Sequence, residues 1–181
     1  MSKSSELRSL CPPPADLQAV EVDWLRLEER IGTELPGDYK WLVESYGPGS
    51  FDGFLHILQP SSPFEPLRLE ESAVRAAQIL EQVSSNGETI PFEISNLLPV
   101  GKTDNGDVIY WVKRPDGSPE EWVITVNAAR NVKWPVFDGG IVEFLVSVLS
   151  GERRIEIFPR SFPSLHVQFS GYPLRRRGRR R

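Results

Sequence analysis

Few side chains in this sequence could carry out catalysis. Its 181 residues include two histidines, His56 and His166, and a single cysteine, Cys11. His56 lies between Leu55 and Ile57, where a histidine on the polar side of a strand is more often structural than catalytic. Two distant histidines and one cysteine do not make a zinc cluster, and neither common glycine-rich phosphate loop occurs. The sequence therefore argues against an enzyme and predicts no cofactor.

Asp104 and Asp107 flank an Asn-Gly turn and form an acidic cluster. Two carboxylates around a hairpin could hold a hard cation, but their spacing and number do not fit a calcium-binding loop of the EF-hand type. We therefore favour a solvated turn over a metal site. A further interpretation, compatible with the turn, is that the hairpin tip presents negative charge to a basic partner.

The charge of the chain is unevenly distributed. Six arginines between positions 175 and 181 carry six positive charges, whereas the formal net charge of the whole chain is −4, so residues 1–174 carry −10. The arginines could neutralise phosphates of RNA or DNA, serve as a solubilising terminus, or fold back onto the acidic body. Because an acidic body repels phosphates and no aromatic-rich basic strand accompanies the arginines, nucleic-acid binding is disfavoured.

The N-terminal region and the cysteine content indicate a compartment. With one cysteine there is no intrachain disulfide, which favours a reducing environment. The N-terminus lacks the apolar core of a signal peptide, and the apolar segment 141–149 is too short to span a bilayer. We therefore expect a cytoplasmic protein without a membrane anchor. Residues 1–19 contain Pro12-Pro13-Pro14 and no apolar period, which predicts a flexible leader.

Two short helices in tandem begin the predicted fold. Asp23 can cap the first helix, which places Trp24, Leu27 and Ile31 on one side and ends at Gly32. Such a helix must pack its apolar side against another element.

The second helix occupies the segment from Leu35 to Phe51. Pro36 suits its first helical position and Gly47 suits a left-handed C-cap. Trp41 lies about 200° around the axis from Tyr39, so it cannot share the buried face. It could either pack under a loop or stand exposed as an anchor for a partner. That face is predicted to consist of Tyr39, Leu42, Val43 and Tyr46.

The remaining pattern predicts an α+β fold with an antiparallel meander. Asn-Gly and Asp-Gly turns separate the apolar runs, and Asp138 is expected to cap the last helix. The predicted strands are 51–58, 97–101, 108–113 and 122–127, the predicted helices are 69–83 and 141–149, and 155–158 could add an edge strand.

The sequence resembles the SUKH superfamily in several segments that occur in the same order. These are Trp24-x-x-Leu27-Glu28-x-x-Ile31-Gly32, Leu35-Pro36-x-Asp38-Tyr39, Tyr46-Gly47-Pro48-Gly49-Ser50-Phe51-x-Gly53, Phe54 to Pro60, and Asp104 to Trp111. The superfamily includes bacterial immunity proteins against polymorphic toxins and fungal cell-wall regulators of the Smi/Knr type. The resemblance covers roughly residues 20–151.

The resemblance implies one α+β domain, an antiparallel sheet with helices packed mainly on one side. We expect a leader at 1–19, the SUKH-like domain at 20–151, a C-terminal extension at 152–173 and an arginine-rich tail at 174–181. The residues that match the family pattern are expected to determine the fold: Trp24, Pro36, Asp38, Tyr39, Tyr46, Gly47 and Gly49.

The resemblance also implies a function in protein binding. An immunity protein would bind and neutralise a toxin domain, often a nuclease or a deaminase; the alternative is an endogenous scaffold of the cell-wall-regulator type. The acidic body suits a basic toxin, because opposite charges steer association. We predict a partner-binding edge formed by Glu44, Asp52, Asp104 and Asp107, with Trp41 and Trp111 as anchors.

Overall fold

The computed structural model describes residues 2–15, 21–129 and 132–173. The arginine-rich tail at 174–181 and part of the predicted leader, residues 1 and 16–19, lie outside the described residues. The helices are α1 (Lys3–Leu10), α2 (Trp24–Ile31), α3 (Gly37–Tyr46), α4 (Leu69–Ser85) and α5 (Ile141–Leu149). The strands are β1 (Gly49–Phe51), β2 (Leu55–Ile57), β3 (Leu97–Thr103), β4 (Val108–Val112), β5 (Val123–Asn127), β6 (Val136–Phe137) and β7 (Phe169–Gly171).

The seven strands form one antiparallel sheet in the order β6-β5-β4-β3-β2-β1-β7. Ile109 and Trp111 of β4 face a core that also contains buried residues of α1, α2, α3 and α5. Tyr110 faces the other side, where it packs with Ala76 and Leu80 of α4. The predicted α+β domain is thus confirmed, with four of the described helices on one face and α4 on the other.

The predicted helix pair is confirmed. Asp23 Oδ1 accepts a hydrogen bond from the N–H of Arg26 at 3.1 Å, and α2 ends at Gly32 with a φ of 78°. The predicted face of α3 is buried. Gly47 is its C-cap as expected, but with a φ of 65° and a ψ of −172° it does not adopt the predicted left-handed helical conformation. Pro36, however, is the N-cap of α3 rather than its first helical residue.

The prediction of a single strand at 51–58 is wrong, because two short strands of a hairpin occupy this segment. Asp52 and Gly53 have φ angles of 53° and 61° and form the turn between β1 and β2. Asp and Gly are among the residues that best tolerate this conformation, so the pair is a turn signal inside an apolar run.

The flexible leader predicted at the N-terminus is wrong for residues 3–11. Leu7 of α1 and Cys11 are fully buried, and the Tyr46 hydroxyl donates a hydrogen bond to the carbonyl oxygen of Cys11 at 2.7 Å. The reason lies in α5, in which every residue except Glu143 is buried. A helix that is apolar on all sides must be covered on all sides, and α1 packs against it.

Two details of the C-terminal region also differ from the prediction. Asp138 does not cap α5: Gly140 is the N-cap, and the capping carboxylate comes from Asp38 of α3. The edge strand is Phe169–Gly171, which pairs with β1, rather than 155–158. Ile155 and Phe158 are instead buried in the main core.

Candidate partner-binding site

The predicted acidic edge contains two residues that are inside the molecule. Asp107 is 4% exposed, and its carboxylate accepts hydrogen bonds from the Thr103 hydroxyl at 2.7 Å and from the N–H of Ala129 at 3.0 Å. Trp111 is fully buried between Tyr39 and Trp122, with ring centroids 5.0 and 5.9 Å away. The prediction that these two residues contact a partner is therefore wrong.

Asp52 is bound to the C-terminal extension. Its carboxylate accepts hydrogen bonds from the N–H of Ser164 at 2.7 Å, from the Ser164 hydroxyl at 3.1 Å and from the N–H of Gln168 at 3.0 Å. A carboxylate with three donors has little capacity left for a partner. Asp52 therefore holds residues 164–168 against the turn between β1 and β2.

Glu44 and Trp41 lie on α3 and have contacts within the chain. Glu44 is exposed and accepts a hydrogen bond from the indole N–H of Trp24 at 2.8 Å. Trp41 is half-buried: its ring lies 6.1 Å from that of Tyr46, and the guanidinium of Arg8 lies 5.3 Å from its centroid. Because α1 covers part of Trp41, this side chain is not a free anchor.

His56 lies in a hydrogen-bonded chain with Tyr172 and Asp104. Its Nε2 donates to Asp104 Oδ1 at 2.7 Å, and its Nδ1 is bonded to the Tyr172 hydroxyl. Burial raises the pKa of Tyr172, so this hydroxyl stays protonated and can donate to Nδ1. With both nitrogens engaged, the imidazole joins β2, the β3–β4 hairpin and the C-terminal extension, which supports a structural role. The 116-residue separation of His56 and Tyr172 left no signal in the sequence.

A second acidic group, which the sequence reasoning missed, lines a pocket of about 210 Å³ between α3, α5 and the turn 119–121. Its carboxyl groups belong to Asp38, Glu120 and Glu143, and its aromatic walls are Trp111 and Trp122. We call this site the acidic pocket. The sequence signal that could have found it is the acidic residue in the first turn of each of these three elements.

Two carboxyl groups of the acidic pocket are held in place by backbone donors. Asp38 Oδ2 accepts from the N–H of Val142 at 3.0 Å, and Glu120 Oε1 accepts from the N–H of Gly37 at 2.8 Å. A Cβ atom at position 140 would lie 2.4 Å from Asp38 Oδ2, so Gly140 permits the approach of that carboxyl to α5. Helix N-termini favour such negative groups.

Two buried polar atoms of the acidic pocket have no partner. Asp38 Oδ1 and Trp111 Nε1 are inaccessible to solvent and make no hydrogen bond. Burial raises the pKa of the Asp38 carboxyl, the charge of Glu120 adds to the rise, and backbone hydrogen bonds oppose it. No described cation forms an ion pair with this acid, although Lys3 also lines the pocket.

A larger apolar cleft of about 720 Å³ lies on the opposite face of the sheet, beneath α4. Ile79 and Val132, which are 52% and 74% exposed, line it together with Tyr110. Lys102 lines the same cleft and donates hydrogen bonds to the carbonyl oxygen of Pro66 at 2.7 Å and to the Ser72 hydroxyl at 3.3 Å. Burial lowers the pKa of Lys102, and the charge of Arg75 adds to this effect.

Comparison with known families identifies the domain. Residues 18–141 match the SMI1 / KNR4 family (SUKH-1), which includes the helix pair, all strands from β1 to β6 and the first residue of α5. The chain belongs to the SUKH-1 family. The match ends ten residues before the predicted end at 151 and leaves most of α5 and all of β7 outside it. No curated protein matches this SUKH-1 chain significantly.

The described residues contain neither a membrane-spanning helix nor a metal-binding cluster. No described helix of this SUKH-1 chain combines the length and apolarity that a bilayer crossing requires. Among the same residues, no group of three or more His, Cys, Asp or Glu side chains is arranged to hold a metal ion.

Proposed function

We propose that this SUKH-1 chain is a non-enzymatic binding protein of the immunity type, which neutralises a basic toxin domain in the cytoplasm. The observation that carries the proposal is the charge of −10 on residues 1–174 of a chain from this family. A nuclease must present cationic surface to hold its nucleic-acid substrate. An acidic inhibitor gains steered association with that surface and competes there with phosphate.

Binding by occlusion needs no turnover chemistry. The cluster that most resembles a catalytic arrangement, Tyr172, His56 and Asp104, has both imidazole nitrogens bonded within the chain. Exposed carboxylates such as Glu44 and Asp104 add to the long-range field that attracts a basic partner without having to touch it. We therefore assign these carboxylates to long-range attraction, in place of the direct contact with the partner that was predicted from the sequence.

The same family match is compatible with an endogenous scaffold of the cell-wall-regulator type. The two functions differ in their partner: a toxin in one case, and a protein of the cell's own machinery in the other. A toxin gene beside the gene for this chain favours immunity, whereas an isolated gene favours the scaffold.

Protection of a bacterial host from a toxin domain encoded beside the gene for this chain tests the proposal. The toxin domain is expressed alone and together with the full chain, and growth is recorded. We expect growth to be restored by the full chain and the complex to associate at least ~10-fold more slowly at 200 mM than at 20 mM salt, since screening removes the steering. Failure to protect, or an association rate independent of salt, would overturn the proposal.

A further inference from the structure

We propose that the apolar cleft beneath α4 binds a small linear molecule with one carboxylate, of the fatty-acid class, with the carboxylate at Lys102 and the chain along α4. The cleft lies on the face of the sheet opposite the acidic pocket, and the inference does not depend on a toxin partner. It gives this SUKH-1 chain a ligand in addition to the proposed protein partner.

The dimensions of the cleft suit a small molecule. Its volume of about 720 Å³ falls within the range of roughly 300–1,000 Å³ that is typical of such sites. Helix α4 lines it from Ser72 to Val83, and this length of α-helix spans about 16 Å. The cleft is therefore long enough for an extended aliphatic chain.

The walls of the cleft are apolar and incompletely covered. Leu80 and Tyr110 are buried at its base, and the ring of Trp134 lies 5.8 Å from that of Tyr110. Ile79 and Val132, which also line the cleft, remain largely exposed. Large apolar side chains that stay exposed around a concave surface are typical of binding sites, because a ligand removes them from water. An aliphatic chain along α4 would cover both residues.

Lys102 determines the charge of the ligand. Its ammonium donates to the carbonyl oxygen of Pro66 and to the Ser72 hydroxyl, which are both neutral, so one of its three N–H donors remains. No ion pair between described residues includes Lys102. Burial lowers the pKa of Lys102, and an anion in contact with the ammonium would favour its charged form. One remaining donor suits one carboxylate oxygen.

The other charged residues of the cleft determine the orientation of the ligand. Arg75 lies one turn after Ser72, and its guanidinium donates to Glu65 at 3.2 Å with further N–H groups to spare. Glu88, the carboxylate among the described lining residues, follows the end of α4. The cations thus lie near the start of α4 and the acid lies beyond its end. A carboxylate at Lys102 would avoid Glu88 and direct its chain toward the end of the helix.

The proposal is tested with dodecanoate, titrated below its micelle concentration into the ¹⁵N-labelled full chain. We expect the indole N–H signal of Trp134 to shift in a saturable manner. The signal of Trp24, whose indole bonds to Glu44 on the opposite face of the sheet, should stay in place. Dodecyltrimethylammonium has a chain of the same length and the opposite charge. It should bind at least ~10-fold more weakly, since it cannot accept a hydrogen bond from Lys102.

Ile79→Glu should weaken binding of dodecanoate at least ~10-fold, because it places a negative charge in the cleft at an exposed position. Val74→Glu is the control, since it makes a similar change at an exposed residue of α4 that does not line the cleft. Lys102→Met should remove the preference for dodecanoate over the cationic probe.

Three results would overturn the proposal. The absence of a saturable shift of Trp134 would leave an apolar side chain of a protein partner as the occupant of the cleft. Equal binding of the anionic and the cationic probe to the unaltered chain would exclude Lys102 as the group that selects the ligand. Equal weakening by Ile79→Glu and Val74→Glu would place dodecanoate outside the cleft.

Discussion

Asp38 and Val142 connect two helices that lie 104 positions apart in the sequence, through a hydrogen bond of 3.0 Å from the Val142 N–H to Asp38 Oδ2. The bond supplies α5 with the N-terminal cap that Asp138 was expected to provide. It also turns the other oxygen of the carboxyl group toward the protein interior, where it has no donor. One residue thus connects α3 to α5 and carries a buried carboxyl oxygen without a hydrogen-bond donor.

The raised pKa of Asp38 predicts a specific dependence of stability on pH. Because the folded state holds this proton more tightly than the unfolded state, its contribution to stability is complete below pH ~4 and is lost as the pH rises through the folded pKa. Asp38→Asn cannot ionise, so the free energy of unfolding of the variant minus that of the unaltered chain should increase with pH. Urea denaturation between pH 3.5 and 7 measures this difference.

Asp138→Asn provides the control, since Asp138 is exposed and caps no helix. Its effect on the free energy of unfolding should stay within ~0.5 kcal/mol. A difference for Asp38→Asn that remains constant or falls with pH would contradict burial as the main influence on Asp38.

The packing of α1 predicts that truncation of Leu7 is costly. Leu7→Ala should lower the free energy of unfolding by about 2–5 kcal/mol, because the side chain is fully buried against the main core. Chemical denaturation measures the loss. Leu25→Ala, at a position that is 77% exposed, makes the same chemical change and should cost less than ~1 kcal/mol. Equal and small effects would show that α1 is dispensable.

The pairing of β1 with β7 predicts that alanine is tolerated at one of two facing glycines but not at the other. Gly49 lies opposite Gly171, and a Cβ atom at position 49 would lie 2.4 Å from both the Phe169 ring and the carbonyl oxygen of Ser170. Gly49→Ala should destabilise by about 1–3 kcal/mol and expose residues 152–173 to proteolysis, since backbone must move. Gly171→Ala meets its nearest atom at 3.7 Å and should be nearly neutral. Equal protease resistance of the two variants would contradict the pairing.

Local capping and turn signals in the sequence predicted much of the fold. The cap at Asp23, the glycines that end α2 and α3, and the turns between β3, β4 and β5 act through nearby backbone, so a short stretch of sequence reveals them. The placement of α1 and β7 depended on distant partners. Leu7 is buried because α1 packs against the apolar surface of α5. Phe169 packs against Tyr46 and Phe51, whose rings lie 5.1 and 4.9 Å away.

The candidate site was less predictable for a related reason. Charge and spacing indicated acidic residues near the β3–β4 turn, but they could not show that Asp107 turns inward to Thr103 and Ala129. The acidic pocket combines side chains from three elements that are far apart in the sequence. Their convergence follows from the packing of α3 on α5, which no local pattern contains.

Titration of the purified chain into a toxin domain encoded beside its gene, with toxin activity as the readout, tests the central claim most directly. If the chain neutralises the toxin by occupying its surface, toxin activity should fall in proportion to the added chain, reach its minimum at a fixed stoichiometry and return when the complex is separated in high salt. Complete inactivation by a small fraction of an equivalent, increasing with time and not reversed by separation, would show an enzyme instead of a binding protein. An unchanged toxin activity at excess chain would equally contradict the proposed function.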